Sequence, residues 1–336
     1  MKKIASTLVV LAALTVSGQL ASAETTLQGA GASFPAPFYQ RWAQDFNKQH
    51  PDIQINYQSN GSGAGVKQFT QGLVDFGASD AAITDEEIAK VPKGAVMIPA
   101  TAGSIVLAYN LPGVSELKLS RAVYAGIFLG TITKWNDPQI VKSNPGVKLP
   151  DLGIKVCSRA DGSGTTFVFT KHLSAISPEF KEKVGTDKAV SWPTGMSGKG
   201  NDGVTALVQQ NPGAIGYVEY GYAQNNKLPM ASLENKSGKF VKPTLESGTA
   251  TLASVQLPAN LRIWPEDPAG AEDYPIATFT WLLLYKTYDN ADKLKALKEF
   301  ITYGLTAGQA TAPSLGYIPL PKEVVSKCQA ALDSIK

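Results

Sequence analysis

The chain has 336 residues, 43% of them hydrophobic, and a formal net charge of +3 at neutral pH. So small a charge on so long a chain excludes a general affinity for nucleic acid or for an anionic membrane, and leaves any selectivity for anions to a local site. The length exceeds what one hydrophobic core usually serves, so two lobes are expected.

The first 23 residues carry the three parts of an export signal: Lys2 and Lys3, an apolar run from Ile4 to Val16, and Ala21-Ser22-Ala23 as a cleavage site. The apolar run is too short to span a membrane, and no later stretch reaches about 18 unbroken apolar residues. A cleaved, exported, soluble protein is the expectation. No Cys follows the cleavage site to carry a lipid anchor.

Residues 25–29 read as a strand, followed by Gly29-Ala30-Gly31-Ala32-Ser33-Phe34-Pro35, where Ser33 is a candidate N-cap and Phe38, Trp42 and Phe46 recur at helical spacing. Ile53, Ile55 and Tyr57 alternate as a second strand. Gly61-Ser62-Gly63-Ala64-Gly65 then opens a helix carrying Val66, Phe69 and Leu73. Val74 to Ala78 is a short buried strand that delivers Ser79 and Asp80 at its end, and Thr84-Asp85-Glu86-Glu87 is a capping box. Ile105 to Tyr109 and Ile154 to Cys157 are further strands. Ser158-Arg159-Ala160-Asp161-Gly162-Ser163-Gly164-Thr165-Thr166 follows the second of them and opens another helix. A short helix after Pro178, a loop from Trp192 to Asp202, a helix carrying Val204, Leu207 and Val208, and a strand from Ala214 to Val218 come next. Residues 225–270, rich in Gly, Pro, Ser, Lys and Asn, predict irregular surface structure. Phe279 to Tyr285 is the most apolar run after the export signal and predicts a central strand, with helices from about Ala291 and Pro321 closing the chain. Strands alternating with helices indicate an α/β fold with mostly parallel sheets.

The three Ser/Gly turns at Ser33, Ser62 and Ser163 carry the chemistry. A strand that ends in such a turn and opens a helix aims backbone N–H groups outward at the positive end of the helix dipole. Arg159 stands beside the third turn, able to grip two oxygens at once, with Asp161 close enough to hold its guanidinium. A single turn of this kind is most often only a helix cap; three, with Thr165 adding a hydroxyl, suit a dehydrated oxyanion. Asp80 would repel an oxyanion unless a proton lay between them, so it would accept hydrogen phosphate and reject sulfate. The plainer reading of Asp80 is a solvated carboxylate at a strand end.

Other motifs carry less. Gly198-Lys199-Gly200-Asn201-Asp202-Gly203 matches a dinucleotide fingerprint, but no clear strand precedes it, and a structural loop opening a helix at 203 is the better reading. There is no P-loop and no nucleophile elbow. His50 and His172, the only histidines, lack metal-ligand spacing and predict surface or capping roles, so neither a metal nor a cofactor is expected. Cys157 and Cys328 fit two buried thiols or one disulfide.

Five segments then carry a resemblance: Gly29 to Pro37, Val74 to Asp80, Arg159 to Thr165, Gly198 to Gly203, and Gly213-Ala214-Ile215-Gly216-Tyr217-Val218-Glu219-Tyr220. In this order they closely resemble the periplasmic phosphate-binding proteins of high-affinity phosphate ABC transporters, with similarity from about residue 27 to the last helix. The resemblance implies a two-lobed periplasmic binding protein fold with a hinge and a ligand cleft between lobes. One lobe would comprise residues 24–103 and 281–336 and the other residues 104–280. Phosphate would be held by Ser33, Phe34 through its N–H, Ser62, Asp80 as acceptor of the ligand proton, Arg159, Ser163, Gly164 through its N–H, and Thr165, with Asp161 orienting Arg159. Ser33 stands where the family has Thr, which keeps the hydroxyl. The implied function is non-enzymatic: a monomer that delivers phosphate to a membrane permease. The alternative is a secreted phosphatase using the same anion pocket, although no nucleophile with its base, and no metal set, is evident.

Overall fold

Apolar runs become buried strands and alternating runs become edge strands in the structure, a computed structural model that describes residues 25–336. The expected export signal lies outside the described residues. The strands are β1 (Thr25–Gly31), β2 (Ile53–Ser59), β3 (Phe76–Ser79), β4 (Ala95–Tyr109), β5 (Lys118–Leu119), β6 (Lys155–Arg159), β7 (Met196–Gly198), β8 (Ala214–Glu219), β9 (Ser232–Glu234), β10 (Phe240–Val241) and β11 (Ala277–Tyr285). Eight of them follow one another in the order β2-β1-β3-β11-β4-β8-β6-β7, and β10-β9-β5 form a small separate sheet.

β4 is the strand on which the fold turns. Its residues 95–104 pair with β11, and its residues 105–109 pair with β8, both antiparallel. The result is two half-sheets: β2-β1-β3-β11 with the first part of β4, and β8-β6-β7 with the rest. Within each half the outer pairings are parallel, β1 with β2 and β3, and β6 with β7 and β8. The expected parallel sheet is therefore interrupted by β11 and β4, because these strands return from or pass into the other half. Every residue of β11 is buried, including Trp281 and Leu282 to Leu284. Each such side chain contributes about 1.5–3 kcal/mol from removal of apolar surface from water.

Helices Ala36–Asn47, Ser62–Thr70 and Ala291–Leu305 cover the first half, and Gly164–Ile176 and Gly200–Gln210 the second. The helix Ser62–Thr70 lies close over the strand ends. A Cβ on Gly65 would fall 2.4 Å from the Gly31 Cα and 2.9 Å from the Ala78 carbonyl oxygen, so only glycine permits this approach.

Three expectations are corrected. Residues 225–270 are not all irregular: they contain β9, β10 and helix Leu245–Ala253, with Leu233, Leu252, Leu257 and Leu261 buried. Buried Asn235 organises this region, its Nδ2 donating to the carbonyls of Gly270, Ala271 and Asp273 and its Oδ1 accepting from the Ser237 and Lys239 N–H groups. His172 is not at the surface but buried, between the Tyr124 hydroxyl at 2.9 Å and the Glu266 carbonyl at 2.7 Å, and burial lowers it to about 4. Leu73 lies beyond its helix and is 66% exposed. Cys157 and Cys328 are buried free thiols, pushed by burial up to about 11 and about 12.

Candidate anion-binding site

Two of the Ser/Gly turns open helices where the sequence places them. Helix Ser62–Thr70 begins at Ser62, and Ser163 caps helix Gly164–Ile176 by accepting the Thr166 N–H at 3.0 Å. The first turn differs. Pro35, not Ser33, occupies the N-cap position of Ala36–Asn47, and no side chain caps that helix. The Ser33 hydroxyl is engaged elsewhere, accepting from the backbone N–H and the side-chain Nδ2 of Asn201, each at 3.0 Å. The helix bearing Asn201 begins at Gly200, three residues ahead of expectation, and its first N–H groups point back at Asp161 and Ser33. Three helix N-termini thus meet here, from both half-sheets.

The half-sheets touch at these turns. The Gly63 N–H donates to the Gly162 carbonyl at 2.8 Å, and the Tyr222 hydroxyl donates to the Ser33 carbonyl at 2.6 Å. A Cβ on Gly164 would lie 2.6 Å from both the Ser62 Oγ and the Asp80 Cβ. Only the absence of a side chain lets the turn seat against Asp80. Phe34 is buried, its carbonyl accepting from the Tyr317 hydroxyl at 2.7 Å.

Arg159 ends β6 with its side chain 1% exposed. Asp161 receives its Nε at 2.8 Å and its Nη2 at 2.5 Å, a two-pronged pairing that fixes the guanidinium plane. Nη1 donates to the Thr165 Oγ1 at 3.4 Å, and the backbone N–H of Arg159 donates to the Tyr217 hydroxyl at 3.1 Å. Burial alone would raise the Asp161 carboxyl, but the hydrogen bonds and charge of Arg159 and the Gly200 N–H hold it below the usual carboxylate range.

Asp80 is buried where β3 ends, so the reading of a solvated strand-end carboxylate does not hold. Its Oδ1 accepts from the Thr280 hydroxyl at 2.8 Å, and its backbone N–H donates to the Ser62 Oγ at 3.3 Å. The register of β11 against β4 shifts beside Thr280, which faces Thr101 while Trp281 faces Pro99, so that Ala100 of β4 is the extra residue of a bulge. Burial pushes the Asp80 carboxyl up to about 7, opposed by the Thr280 hydrogen bond, the Arg159 charge and the Thr165 hydroxyl, and reinforced by Asp161. Ser33, Ser62, Asp80, Ser163 and Thr165 are all at most 1% exposed.

Asn201 and Thr280 were not singled out from the sequence. Asn201 lies inside the Gly198–Gly203 segment, whose glycines were legible while its polar contact was not. Thr280 is one of two threonines in an apolar strand, with nothing local to set it apart from Thr278. Glu219, buried at the end of β8, is also part of this neighbourhood: its N–H donates to the Asn201 Oδ1 at 2.9 Å, and its Oε2 accepts from the Gly221 N–H at 2.9 Å. Burial raises its carboxyl well above the ordinary value. Among the described residues, no group of three or more His, Cys, Asp or Glu could hold a metal ion.

A family model described as the PBP superfamily domain matches residues 17–307. The chain belongs to this superfamily, among its phosphate-binding proteins, as its similarity to curated relatives also shows. It is 44% identical to the phosphate-binding protein PstS of Pasteurella multocida over 324 residues, covering 95% of this chain and 93% of that one. It is 43% identical to PstS of Haemophilus influenzae over 305 residues, covering 90% of each. Among solved structures, a phosphate-binding protein from Stenotrophomonas maltophilia matches with a TM-score of 0.73 at 23% identity, covering 91% of this chain and 94% of that one. A high-affinity periplasmic phosphate-binding protein, solved with phosphate bound, matches with a TM-score of 0.74 at 20% identity, covering 91% and 93%. These two likenesses establish the shared two-lobed fold.

Proposed function

We propose that the chain binds inorganic phosphate between its two lobes and hands it to the membrane permease of an ABC transporter for import. It is a binding protein and not an enzyme. The observation that carries the specificity is the buried Asp80 carboxyl among groups that otherwise donate: the Arg159 guanidinium, the hydroxyls of Ser33, Ser62, Ser163 and Thr165, and the N–H groups of Phe34 and Gly164. With Arg159 neutralised by Asp161, the pocket holds its anion mainly by hydrogen bonds and helix termini rather than by net charge. A lone acceptor among donors matches an oxyanion that still bears a proton. Sulfate would set acceptor against acceptor, at a cost of at least about 2 kcal/mol.

The further parts of the reading belong with this one. The lobes comprise residues 24–103 with 281–336, and residues 104–280; the change of partner along β4 after Ser104 supports that division, with the hinge there and near Ala277 to Thr280. The protein works in the periplasm as a monomer after cleavage behind Ala23, and nucleic acid is not among its ligands. No helix among the described residues is long and apolar enough to cross a membrane.

Titration calorimetry of phosphate-stripped protein tests the reading. One-to-one phosphate binding without a response to sulfate is expected, and Asp80→Asn is expected to lose discrimination between the anions more than it loses phosphate affinity. Equal binding of both anions by the parent protein, or equal losses for both in the variant, would overturn the role of Asp80.

A further inference from the structure

A serine or threonine hydroxyl has two lone pairs and one proton, and it binds an anion only when that proton is turned toward the anion. The phosphate site therefore needs something to set the direction of its hydroxyls, and the residue placed to do so for two of them is Asn201. It is fully buried at the start of helix Gly200–Gln210. Its orientation follows from chemistry. The Glu219 backbone N–H, which can only donate, lies 2.9 Å from the atom that must then be Oδ1. The other end of the amide is consequently the NH2 group, which donates to the Ser33 Oγ at 3.0 Å and to the Thr165 Oγ1 at 3.3 Å.

Both hydroxyls are then saturated as acceptors. Ser33 Oγ receives the Asn201 backbone N–H at 3.0 Å as well as the Nδ2 hydrogen, so both lone pairs are used. Thr165 Oγ1 receives Arg159 Nη1 at 3.4 Å and Asn201 Nδ2 at 3.3 Å. Each is left with its proton as its only means of bonding, and without an anion the Thr165 proton has the Asp80 carboxyl to turn to. Because Ser33 comes from the first half-sheet and Thr165 from the second, the same amide ties the two sides of the site together.

We propose that Asn201 is a positioning residue for anion recognition: it fills the lone pairs of Ser33 and Thr165 and so directs both hydroxyl protons onto the bound oxyanion. This rests on the reading of the site as a phosphate site. It assigns to the Gly198–Gly203 segment a role beyond opening a helix, since the segment delivers the amide that gives two ligand hydroxyls their sense. Aspartate at this position keeps the shape and the bond to Glu219 but offers both hydroxyls an acceptor, drawing their protons away from the anion.

The test is a mutant cycle read by calorimetry with inorganic phosphate. Parent protein and a Ser33→Ala, Thr165→Val variant each receive Asn201→Ala and, separately, Asn201→Asp, and melts without phosphate establish that each variant folds. In the parent, Asn201→Ala is expected to weaken binding about tenfold and Asn201→Asp about a hundredfold, the scale of one or two lost hydrogen bonds to a charged group. In the variant without the hydroxyls, Asn201→Ala is expected to change affinity less than about threefold, and Asn201→Asp to cost at least about threefold less than in the parent. The same fold-losses in both backgrounds would overturn the proposal, because a residue that only supports the scaffold acts without regard to the hydroxyls. Should Asn201→Ala fail to fold, Asn201→Asp supplies the comparison alone. If removing the two hydroxyls leaves phosphate affinity unchanged, the site assignment itself fails and takes this inference with it; if that removal weakens binding and the Asn201 losses do not depend on it, only the inference fails.

Discussion

A carboxyl that titrates near neutrality inside a folded protein ties stability to pH, and Asp80 is such a group. In an unfolded chain it loses its proton near pH 4, whereas burial in the folded protein pushes it up to about 7. Its native pKa is raised, so its contribution to stability is fully present below about pH 4 and is lost as the pH rises toward 7. Melts of phosphate-free protein should therefore show the parent losing ground to Asp80→Asn between pH 4 and 7, with a constant difference above. Glu219 shifts in the same direction mainly through burial, which both proteins share, while the smaller push it receives from the Asp80 charge is absent from the variant. A difference independent of pH from 4 to 8 would mean that Asp80 is ionised throughout. Asp161 behaves differently, because the hydrogen bonds and charge of Arg159 hold its carboxyl below the usual carboxylate range.

Helix N-termini and strand ends, rather than isolated side chains, build the site, and this decides what could be read from the sequence. The turns at Ser62 and Ser163 were legible because a helix start is a local signal: small residues, a capping hydroxyl and an apolar period behind them. Ser33 was legible as a site residue but not in its partner, since proximity to a helix start suggested a cap while a side chain 168 residues away takes the hydroxyl. The start of Gly200–Gln210 and the Thr280 contact to Asp80 were hidden for the same reason, as both depend on sheet neighbours far apart in sequence. Polar composition misled over residues 225–270, where Asn235 is not a solvent-facing loop residue but the buried hub of a turn. Gly164 gives a test at this scale. Alanine is acceptable at the first position of a helix, so the cost of Gly164→Ala comes from the seating of the turn, and the melting temperature of the phosphate-free protein should fall as the turn is pushed off Ser62 and Asp80. Its methyl group would meet Ser62 and Asp80, so phosphate affinity should fall at least about tenfold, as contacts across the site are pushed apart. Unchanged affinity would mean that the two turns separate in the bound state.

At the scale of the molecule, contacts away from the site also hold the two sides together. Lys188 pairs with Glu87 at 2.8 Å, and Arg262 reaches the Ile83 carbonyl at 3.0 Å and Asp85 at 2.6 Å. Trp264 donates to the Asp80 carbonyl at 3.4 Å and lies between Phe167 and Trp281, 5.7 Å from each ring. A ligand that favours the closed arrangement shifts this indole between environments. Phosphate should therefore change tryptophan emission in the parent protein, and Trp264→Phe should remove most of the change while retaining binding by calorimetry; an undiminished signal would place the moving indole elsewhere. The cysteines bear on how the fold is made. Both thiols are buried and hold their protons at neutral pH, so almost none of the reactive thiolate is present to enter exchange. The fold of the described residues therefore needs no thiol oxidase, and an oxidising or a reducing compartment would leave it the same.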